Sequence, residues 1–340
     1  MESLDLSVLG DALAWRTAGH AVTLVTVVQT WGSAPRPPGA LLAIREDGVV
    51  SGSVSGGCVE DDLIARTKAA FNATGLTPDN NRPSLIVYGV SKDEATRFGL
   101  PCGGTLRLVQ EPVLDPTWIA QLLARTAAHQ LVVRTLTLAS GAVLLGAAER
   151  GQALQFDGAT LSTVFGPQWR LLLIGAGQLS QAVAQMALML DFDVLVCDPR
   201  EEYAATLVAG VPGIRRLDGM PDDVVRALLP DAHTAIVALT HDPKLDDMAL
   251  LEALTSSAFY VGALGSRRNQ DARKQRLAEH FDLSAQELAR LHGPVGLALG
   301  AQTPAEIAVS IVAEIVQVKN AVAGAAAALS TAGRGGSALP

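Results

Sequence analysis

Leu171 to Ile174 is a short, wholly apolar run, followed at once by Gly175-Ala176-Gly177 and then by a helical pattern from Gln178 to about Leu190. A strand feeding a helix through a glycine turn is a βα unit. Strands apolar on both sides must be covered on both sides, which commits this stretch to a parallel sheet between helices. Val194 to Val196, Ala235 to Leu239 and Phe259 to Val261 are predicted as further strands, with helical patterns between them. The first glycine permits the tight turn, and the second lets backbone N–H groups approach a pyrophosphate at the helix N-terminus. Ser180 stands in place of a third glycine and is small enough to preserve close helix packing. Asp198 closes the second strand 23 residues after Gly175, near the usual place of a ribose-binding acid. The same residues also suit a plain tight turn, with Asp198-Pro199-Arg200 as a helix cap, and a fold of this kind names no reaction by itself.

Two later loops fall where a parallel sheet puts its ligand crevice, outside the strand C-termini. Thr240-His241-Asp242 offers either a hydrogen-bonding loop histidine or an acid/base group. Gly265-Ser266-Arg267-Arg268 enters a helix that also carries Arg273 and Lys274. Its serine and two arginines suit an anionic group, and equally a solvated helix face. Thr303, Pro304 and Glu306 open a last apolar helix as N-cap, first helical residue and capping-box partner, and Ser284 with Glu287 repeats that spacing.

The N-terminal half reads differently. A helix over 4–18 precedes a β-branched strand, Val22 to Val28, and the Gly/Pro-rich loop Gly32 to Gly39. Leu41 to Ile44 and Val49 to Val54 form a hairpin turning at Asp47-Gly48, and a helix runs from Gly57 to about Ala73. Leu85 to Tyr88 and Thr105 to Val109 are further strands. A helix over 118–129 and the runs Leu131 to Leu138 and Ala142 to Ala147 follow, then a stretch from Arg150 to Gln168 with turn residues and weak periodicity. The expected organisation is α/β: an N-terminal mixed α+β domain (1–115), a connecting segment (116–166), a C-terminal Rossmann-like parallel-sheet domain (167–320) and a flexible Ala/Gly tail (321–340).

The 340 residues are 49% apolar and 18% charged, which supplies a large core and excludes a disordered chain. A net charge of −8 argues against general nucleic-acid binding. No run approaches the roughly 18 apolar residues of a membrane span. Met1 to Asp5 is acidic, without the basic and apolar regions of a signal peptide, and three cysteines make no disulfide scaffold. A cytoplasmic protein without membrane or nucleic-acid partners is expected, and a homodimer is compatible with a chain this apolar.

Ser53-Val54-Ser55-Gly56-Gly57-Cys58-Val59-Glu60 is the most unusual string in the chain. Its glycines allow close approach by a ligand, and Cys58 falls at a helix N-terminus, which lowers a thiol pKa. Glu60, Asp61 and Asp62 in the same turn oppose that shift. Cys102-Gly103-Gly104 is a second cysteine beside paired glycines, and Arg36 can supply positive charge to both loops. Cys102 also reads as a buried inert thiol, and Cys197 reads as core. No Cys-x-x-Cys or His-x-x-x-His pair is present, so a closed zinc site is not expected.

Taken together, these strings resemble the XdhC/CoxI family, accessory proteins of xanthine dehydrogenase and related molybdenum hydroxylases. The N-terminal half carries Gly32-Ser33-Ala34-Pro35-Arg36, the Gly-Gly-Cys-Val-Glu core at 56–60, Cys102-Gly103-Gly104 and Glu111-Pro112. The C-terminal half carries Gly175-Ala176-Gly177, Asp198-Pro199-Arg200, Thr240-His241-Asp242, Gly262 to Arg268, His292-Gly293-Pro294-Val295-Gly296, Thr303-Pro304 and Glu306-Ile307-Ala308. The resemblance implies a maturation chaperone, not a turnover enzyme. Such a chaperone binds molybdenum cofactor (molybdopterin or its cytosine dinucleotide form), shields it, supports its sulfuration and delivers it to an apo molybdenum hydroxylase, with a cysteine desulfurase as second partner. The expected binding residues are Arg36, Ser55, Gly56, Gly57, Cys58, Cys102, Gly103, Gly104, Gly175, Gly177, Gln178, Asp198, His241, Ser266, Arg267 and Arg268. Cys58 is the candidate molybdenum contact or sulfur relay. Two departures stand out: Gln178 replaces a histidine frequent in the family, and Asp61-Asp62 replaces small residues. The alternative is an NAD(P)-dependent oxidoreductase that uses the Rossmann half with His241 as acid/base.

Overall fold

The computed structural model describes residues 3–30, 36–89, 105–149, 152–240 and 242–332. They fall into two compact units, Met1–Pro167 and Gln168–Leu329.

The first unit contains α1 (Ser3–Thr17), β1 (Val22–Thr30), β2 (Leu41–Arg45), β3 (Val50–Gly52), α2 (Cys58–Thr74), α3 (Pro78–Asn81), β4 (Ser84–Tyr88) and β5 (Leu106–Pro112). After them come α4 (Thr117–Ala127), β6 (Val132–Thr137), β7 (Val143–Ala147), β8 (Gln155–Phe156) and β9 (Thr160–Phe165). An antiparallel sheet in the order β3-β2-β1-β5-β4 is apolar on both faces. One face packs Val25, Val27, Leu42, Ile44 and Leu108 against Val59 and Leu63 of α2. The other packs Leu24, Leu41 and Ala43 with Val8 and Leu9 of α1, Trp118 and Ile119 of α4, and Val132 and Phe165.

Residues 116–166, expected as a connecting segment, contain a helix and a four-stranded antiparallel sheet in the order β7-β6-β9-β8 that shares this core. The weak periodicity of 150–168 has a physical cause. Along β9 the buried positions are Leu161, Thr163 and Phe165, so a polar residue occupies the inward row. Thr163 lies opposite Arg134, which pairs with Glu111 of β5 and places its guanidinium 4.2 Å from the Trp118 ring centre. Both charges are almost fully buried, and desolvation pushes the Glu111 carboxyl up against the pull of Arg134.

The second unit contains β10 (Arg170–Ile174), α5 (Gln178–Met189), β11 (Asp193–Cys197), α6 (Glu201–Gly210), β12 (Arg215–Arg216), α7 (Pro221–Leu228) and β13 (Thr234–Ala238). It ends with α8 (Pro243–Thr255), β14 (Tyr260–Ala263), α9 (Arg267–Phe281), α10 (Ala285–Ala289), β15 (Leu291–His292) and α11 (Pro304–Ala332). Its six strands are all parallel, in the order β12-β11-β10-β13-β14-β15. Numbered within the unit this is 3-2-1-4-5-6, the doubly wound order whose topological switch point lies between its first and fourth strands. Every residue of β10 and β13 is buried, as the unbroken apolar runs require. The helix backbone of α11 continues through the alanine-rich stretch expected as a tail and reaches Ala332, in keeping with the high helix propensity of alanine.

Candidate ligand-binding site

The switch point of the second unit falls between the C-terminal ends of β10 and β13. Gly175 follows β10 with φ +103°, and a Cβ there would lie 2.9 Å from Thr240 Cγ2 and 3.1 Å from the Thr240 amide nitrogen. Only glycine therefore lets the two loops touch. Gly177, the N-cap of α5, has φ −81° and nothing within 4 Å of where its Cβ would sit. The helix starts with no side-chain cap, and both Gly177 and Gln178 are exposed. Its first-turn amides and the positive end of its dipole thus face open space, the chemistry that holds a phosphate.

Asp198 sits behind this turn with its side chain fully buried. Its Oδ2 accepts the Ala176 amide (2.9 Å) and Arg200 Nη2 (2.7 Å), and its Oδ1 accepts the Arg200 amide (3.0 Å) and Nε (2.9 Å). Burial opposes the charge, but these four donors outweigh it and hold the carboxyl below its usual range. Asp198 ties the glycine turn to Arg200, the N-cap of α6, which itself starts without a side-chain cap.

An ion-pair network anchors the loops after β13 and β14. Asp246 Oδ1 accepts the Thr240 hydroxyl (2.7 Å) and amide (3.2 Å), while Asp246 Oδ2 and Asp247 Oδ1 each take a bond of 3.0 Å from the buried Arg273. Arg273 also donates to the Leu264 carbonyl (3.2 Å), ahead of the β14–α9 loop. Burial dominates at Asp246 and pushes its carboxyl up to about 6 despite these partners. Ser266 caps α9 by accepting the Asn269 amide, and Arg267 and Arg268 are exposed in the first turn. Arg273 therefore bolts the loops together, and Arg267 and Arg268 are the exposed cations of this helix start.

The Ser53–Gly57 loop of the first unit is arranged differently. Glu60, in the first turn of α2, folds back on it. Its Oε1 accepts Ser53 Oγ (2.8 Å) and the amides of Val54 (2.9 Å), Ser55 (2.7 Å) and Gly56 (2.9 Å). Its Oε2 accepts the Gly57 amide (2.8 Å) and the Ser55 hydroxyl. Half-buried yet so richly bonded, Glu60 is held ionised, at about 2. The loop amides that could have cradled an external anion thus already hold an internal one. The backbone of Cys58 opens α2, as its position in the sequence suggested.

Gly175, Gly177, Gln178 and Asp198 therefore gather at the C-terminal ends of the parallel strands, with Ser266, Arg267 and Arg268 at the start of α9, which Arg273 ties to Thr240 through Asp246. Ser55, Gly56, Gly57 and Cys58 gather around Glu60 in the other unit, and Arg36 is partly buried in the segment between β1 and β2. Cys102, Gly103, Gly104 and His241 lie outside the described residues. Cys197 is core: fully buried, with its thiol pushed up to about 12 by desolvation and nearby carboxylates. Among the described residues no group of three or more side chains is placed to hold a metal ion, and no helix is long and apolar enough to cross a membrane.

Sequence reasoning missed two clusters. Arg200 covers Tyr203 at 4.3 Å. Glu314 of α11 accepts Tyr260 Oη (2.6 Å) and the Gly296 amide (2.7 Å) and pairs with His292 Nδ1 (2.9 Å), whose ring stacks on Tyr260. Arg200 was visible as part of an Asp-Pro-Arg string, whereas the Glu314 cluster joins residues 22 and 54 positions apart and leaves no local signal.

Residues 171–315 match the family model described as the XdhC Rossmann domain, and residues 15–77 match the model of the XdhC and CoxI family. The chain is 28% identical over 323 residues to the molybdenum cofactor insertion chaperone PaoD of Escherichia coli K12, covering 92% of this chain and 88% of that one. It is also 28% identical over 327 residues to a Bacillus subtilis 168 protein named as a probable subunit of xanthine dehydrogenase, covering 88% and 94%. A Bacillus halodurans protein described as a xanthine dehydrogenase, solved by crystallography, superposes with a TM-score of 0.74 at 24% identity, over 94% of this chain and 96% of its own. That last likeness concerns the fold. The Rossmann unit is matched by the family's own domain model, so it lends no support to the oxidoreductase alternative.

Proposed function

The chain belongs to the XdhC/CoxI family, and from that premise we propose that it carries molybdenum cofactor as cargo, shields it, supports its sulfuration and delivers it to an apo molybdenum hydroxylase. The observation that carries the reading is the start of α5: a helix N-terminus without a side-chain cap, with Gly177 open to close approach, in a chain similar along most of its length to a protein named as a molybdenum cofactor insertion chaperone. The cargo ends in a phosphate or, as the cytosine dinucleotide, carries a pyrophosphate, and either suits those amides. Gly175, Gly177 and Gln178 hold that group, with Arg267 and Arg268 supplying charge from the first turn of α9, and His241 is assigned to the same group.

Cys58, with Arg36, Ser55, Gly56, Gly57, Cys102, Gly103 and Gly104, is assigned to the molybdenum and dithiolene end, where a soft thiolate suits the metal. In this reading Ser55, Gly56 and Gly57 act by shaping the backbone that presents Cys58, since Glu60 occupies their amides. A cysteine desulfurase is the second protein partner, and a homodimer the proposed assembly. The role is that of an accessory factor in the cytoplasm.

Anaerobic copurification from cofactor-replete cells tests the reading, with metal analysis and release of bound pterin as its fluorescent oxidation product. Near-stoichiometric molybdenum and pterin are expected, reduced in Cys58→Ala. Absence of both from the wild-type protein overturns the proposal.

A further inference from the structure

The buried face of α9 opens with two polar residues. Gln270 and Arg273 are only 2% and 5% exposed, and Leu277 continues the row. Burying an amide and a guanidinium is costly unless both are bonded, and here both are. Gln270 Nε2 donates to the carbonyl of Ala263, the last residue of β14 (2.9 Å), and its Oε1 accepts Arg273 Nη1 (3.2 Å). Because an arginine can only donate, the atom facing it is the amide oxygen. The chain leaves room for this amide. A Cβ on Gly293, just after β15, would lie 2.6 Å from Gln270 Cδ, and one on Gly265 would lie 3.1 Å from Gln270 Nε2. Gly293 belongs to the His292–Gly296 string, which phosphate binding at α5 leaves unexplained.

Gln270 therefore stands where three strand ends meet. The Ala263 carbonyl also takes the Val295 amide (3.0 Å), which draws the loop after β15 onto the end of β14. Through Arg273 the amide reaches Asp246 (3.0 Å) and from there the hydroxyl of Thr240 (2.7 Å), which abuts the turn at Gly175. Arg268 and Arg267 stand two and three residues ahead of Gln270, in the first turn of the same helix. Apolar packing has no direction and would let α9 shift or roll. Hydrogen bonds are directional and fix its start. Guanidinium–phosphate pairing needs a fixed start, because its strength depends on matching donors to oxygens.

We propose that Gln270 is a positioning residue: it sets Arg267 and Arg268 against the phosphate or pyrophosphate held at the start of α5. It touches no ligand itself and acts through the two arginines. Gly265 and Gly293 leave the space that its amide fills. This rests on the reading above that the start of α5 holds the anionic end of the cargo.

The test is a double-mutant cycle on the full chain. The probe is molybdenum cofactor released anaerobically from a purified molybdenum hydroxylase, and the readout is the pterin retained at equilibrium over a range of protein concentrations. In the wild-type background, Arg267→Ala combined with Arg268→Ala is expected to weaken binding at least tenfold. Gln270→Met fills the same room without the hydrogen bonds, and in that background the same pair of substitutions should cost less than about twofold. Gly177→Ala is the control: its loss of at least tenfold, on the α5 side of the anion, should persist in Gln270→Met. A merely structural role for Gln270 would lower the melting temperature and either keep both losses or abolish both. Should Gln270→Met fail to fold, Gln270→Glu keeps an acceptor for Arg273, and the arginine loss is expected to shrink there without vanishing. An arginine loss undiminished in the Gln270 variant overturns the proposal. So does the absence of that loss from the wild-type protein, or its disappearance together with the Gly177 loss. Wild-type protein that takes up no cofactor at all overturns the cargo reading, and this proposal with it.

Discussion

Two glycine-bearing loops in this chain lead into helices, and they end in opposite states. At Ser53–Gly57 the helix that follows supplies its own anion, and the amides of residues 54–57 all point to Glu60. At Gly175–Gly177 the internal carboxylate, Asp198, comes from the next strand, reaches only the Ala176 amide, and leaves the helix start open. The lesson is that glycines before a helix do not make an anion site. What decides is whether a carboxylate lies within reach of the same amides, and the third residue of the helix is ideally placed to do so.

The largest effect should follow from emptying the first loop. Glu60→Ala removes an acceptor shared by four amides and two hydroxyls. Charge-assisted bonds count for more than neutral ones, and water can replace part of them at this half-buried position, so the expected loss is about 3 kcal/mol. Urea denaturation measures it. A loss below about 1 kcal/mol would mean that the loop holds its shape without the carboxylate.

The second loop is expected to separate shape from access. Gly175→Ala forces a side chain into a left-handed backbone and against Thr240, at a cost of about 2 kcal/mol. Gly177→Ala meets open space at an ordinary φ and should cost no more than about 1 kcal/mol, the penalty of alanine at an N-cap, while weakening pterin or nucleotide binding at least tenfold. If the two substitutions shift the melting temperature alike, the assignment of Gly175 to the turn and Gly177 to the ligand is wrong.

The contrast between the loops also shows what a sequence makes legible. The Gly175 turn and Asp198 were legible because a βα unit is local: the glycines, the strand end and the acid stand in fixed order along some two dozen residues. Glu60 was legible as a neighbouring charge but not as the occupant of the loop, since its reach depends on how the chain bends at Gly56 and Gly57. The β8–β9 pair was hidden because Thr163 interrupts an apolar row in order to face Arg134, whose partner Glu111 comes from another sheet. The Tyr260–His292–Glu314 cluster assembles only when α11 packs beside β14 and β15. What escaped reading was what tertiary contacts decide.

A smaller effect separates the two regions by pH. The Glu60 carboxyl lies below its ordinary 4.5, at about 2, so its contribution is complete above about 4.5 and is lost as pH falls through about 2. Asp246 runs the other way. Its carboxyl rises from 3.8 to about 6, so its contribution is complete below 3.8 and is lost as pH rises through about 6. As pH falls from 7 to 5 the contribution of Asp246 to stability in urea denaturation should therefore rise while the amides of residues 54–57 keep their protection from hydrogen exchange, and as pH falls toward 2 those amides should lose it. Opening of the 54–57 amides between pH 7 and 5 would contradict the hold assigned to Glu60.

The finest distinction concerns two thiols. Cys197 is buried, donates to the Gly219 carbonyl at 3.7 Å and has its pKa raised by burial and by Asp198, Asp218 and Asp222, so it stays a protonated thiol at pH 8. It should resist alkylation until the chain unfolds. The backbone of Cys58 opens α2, a position at which a thiol is in general more readily ionised. A carboxylate in the same turn opposes such ionisation, and Glu60 shares its charge with the loop amides. Mass-spectrometric labelling at pH 8 should modify Cys58 well before Cys197. Glu60→Gln, which keeps part of the hydrogen bonding and removes the charge, should quicken Cys58 further and leave Cys197 untouched. If Cys58 slows instead, the amides around Glu60, and not its charge, govern the thiol.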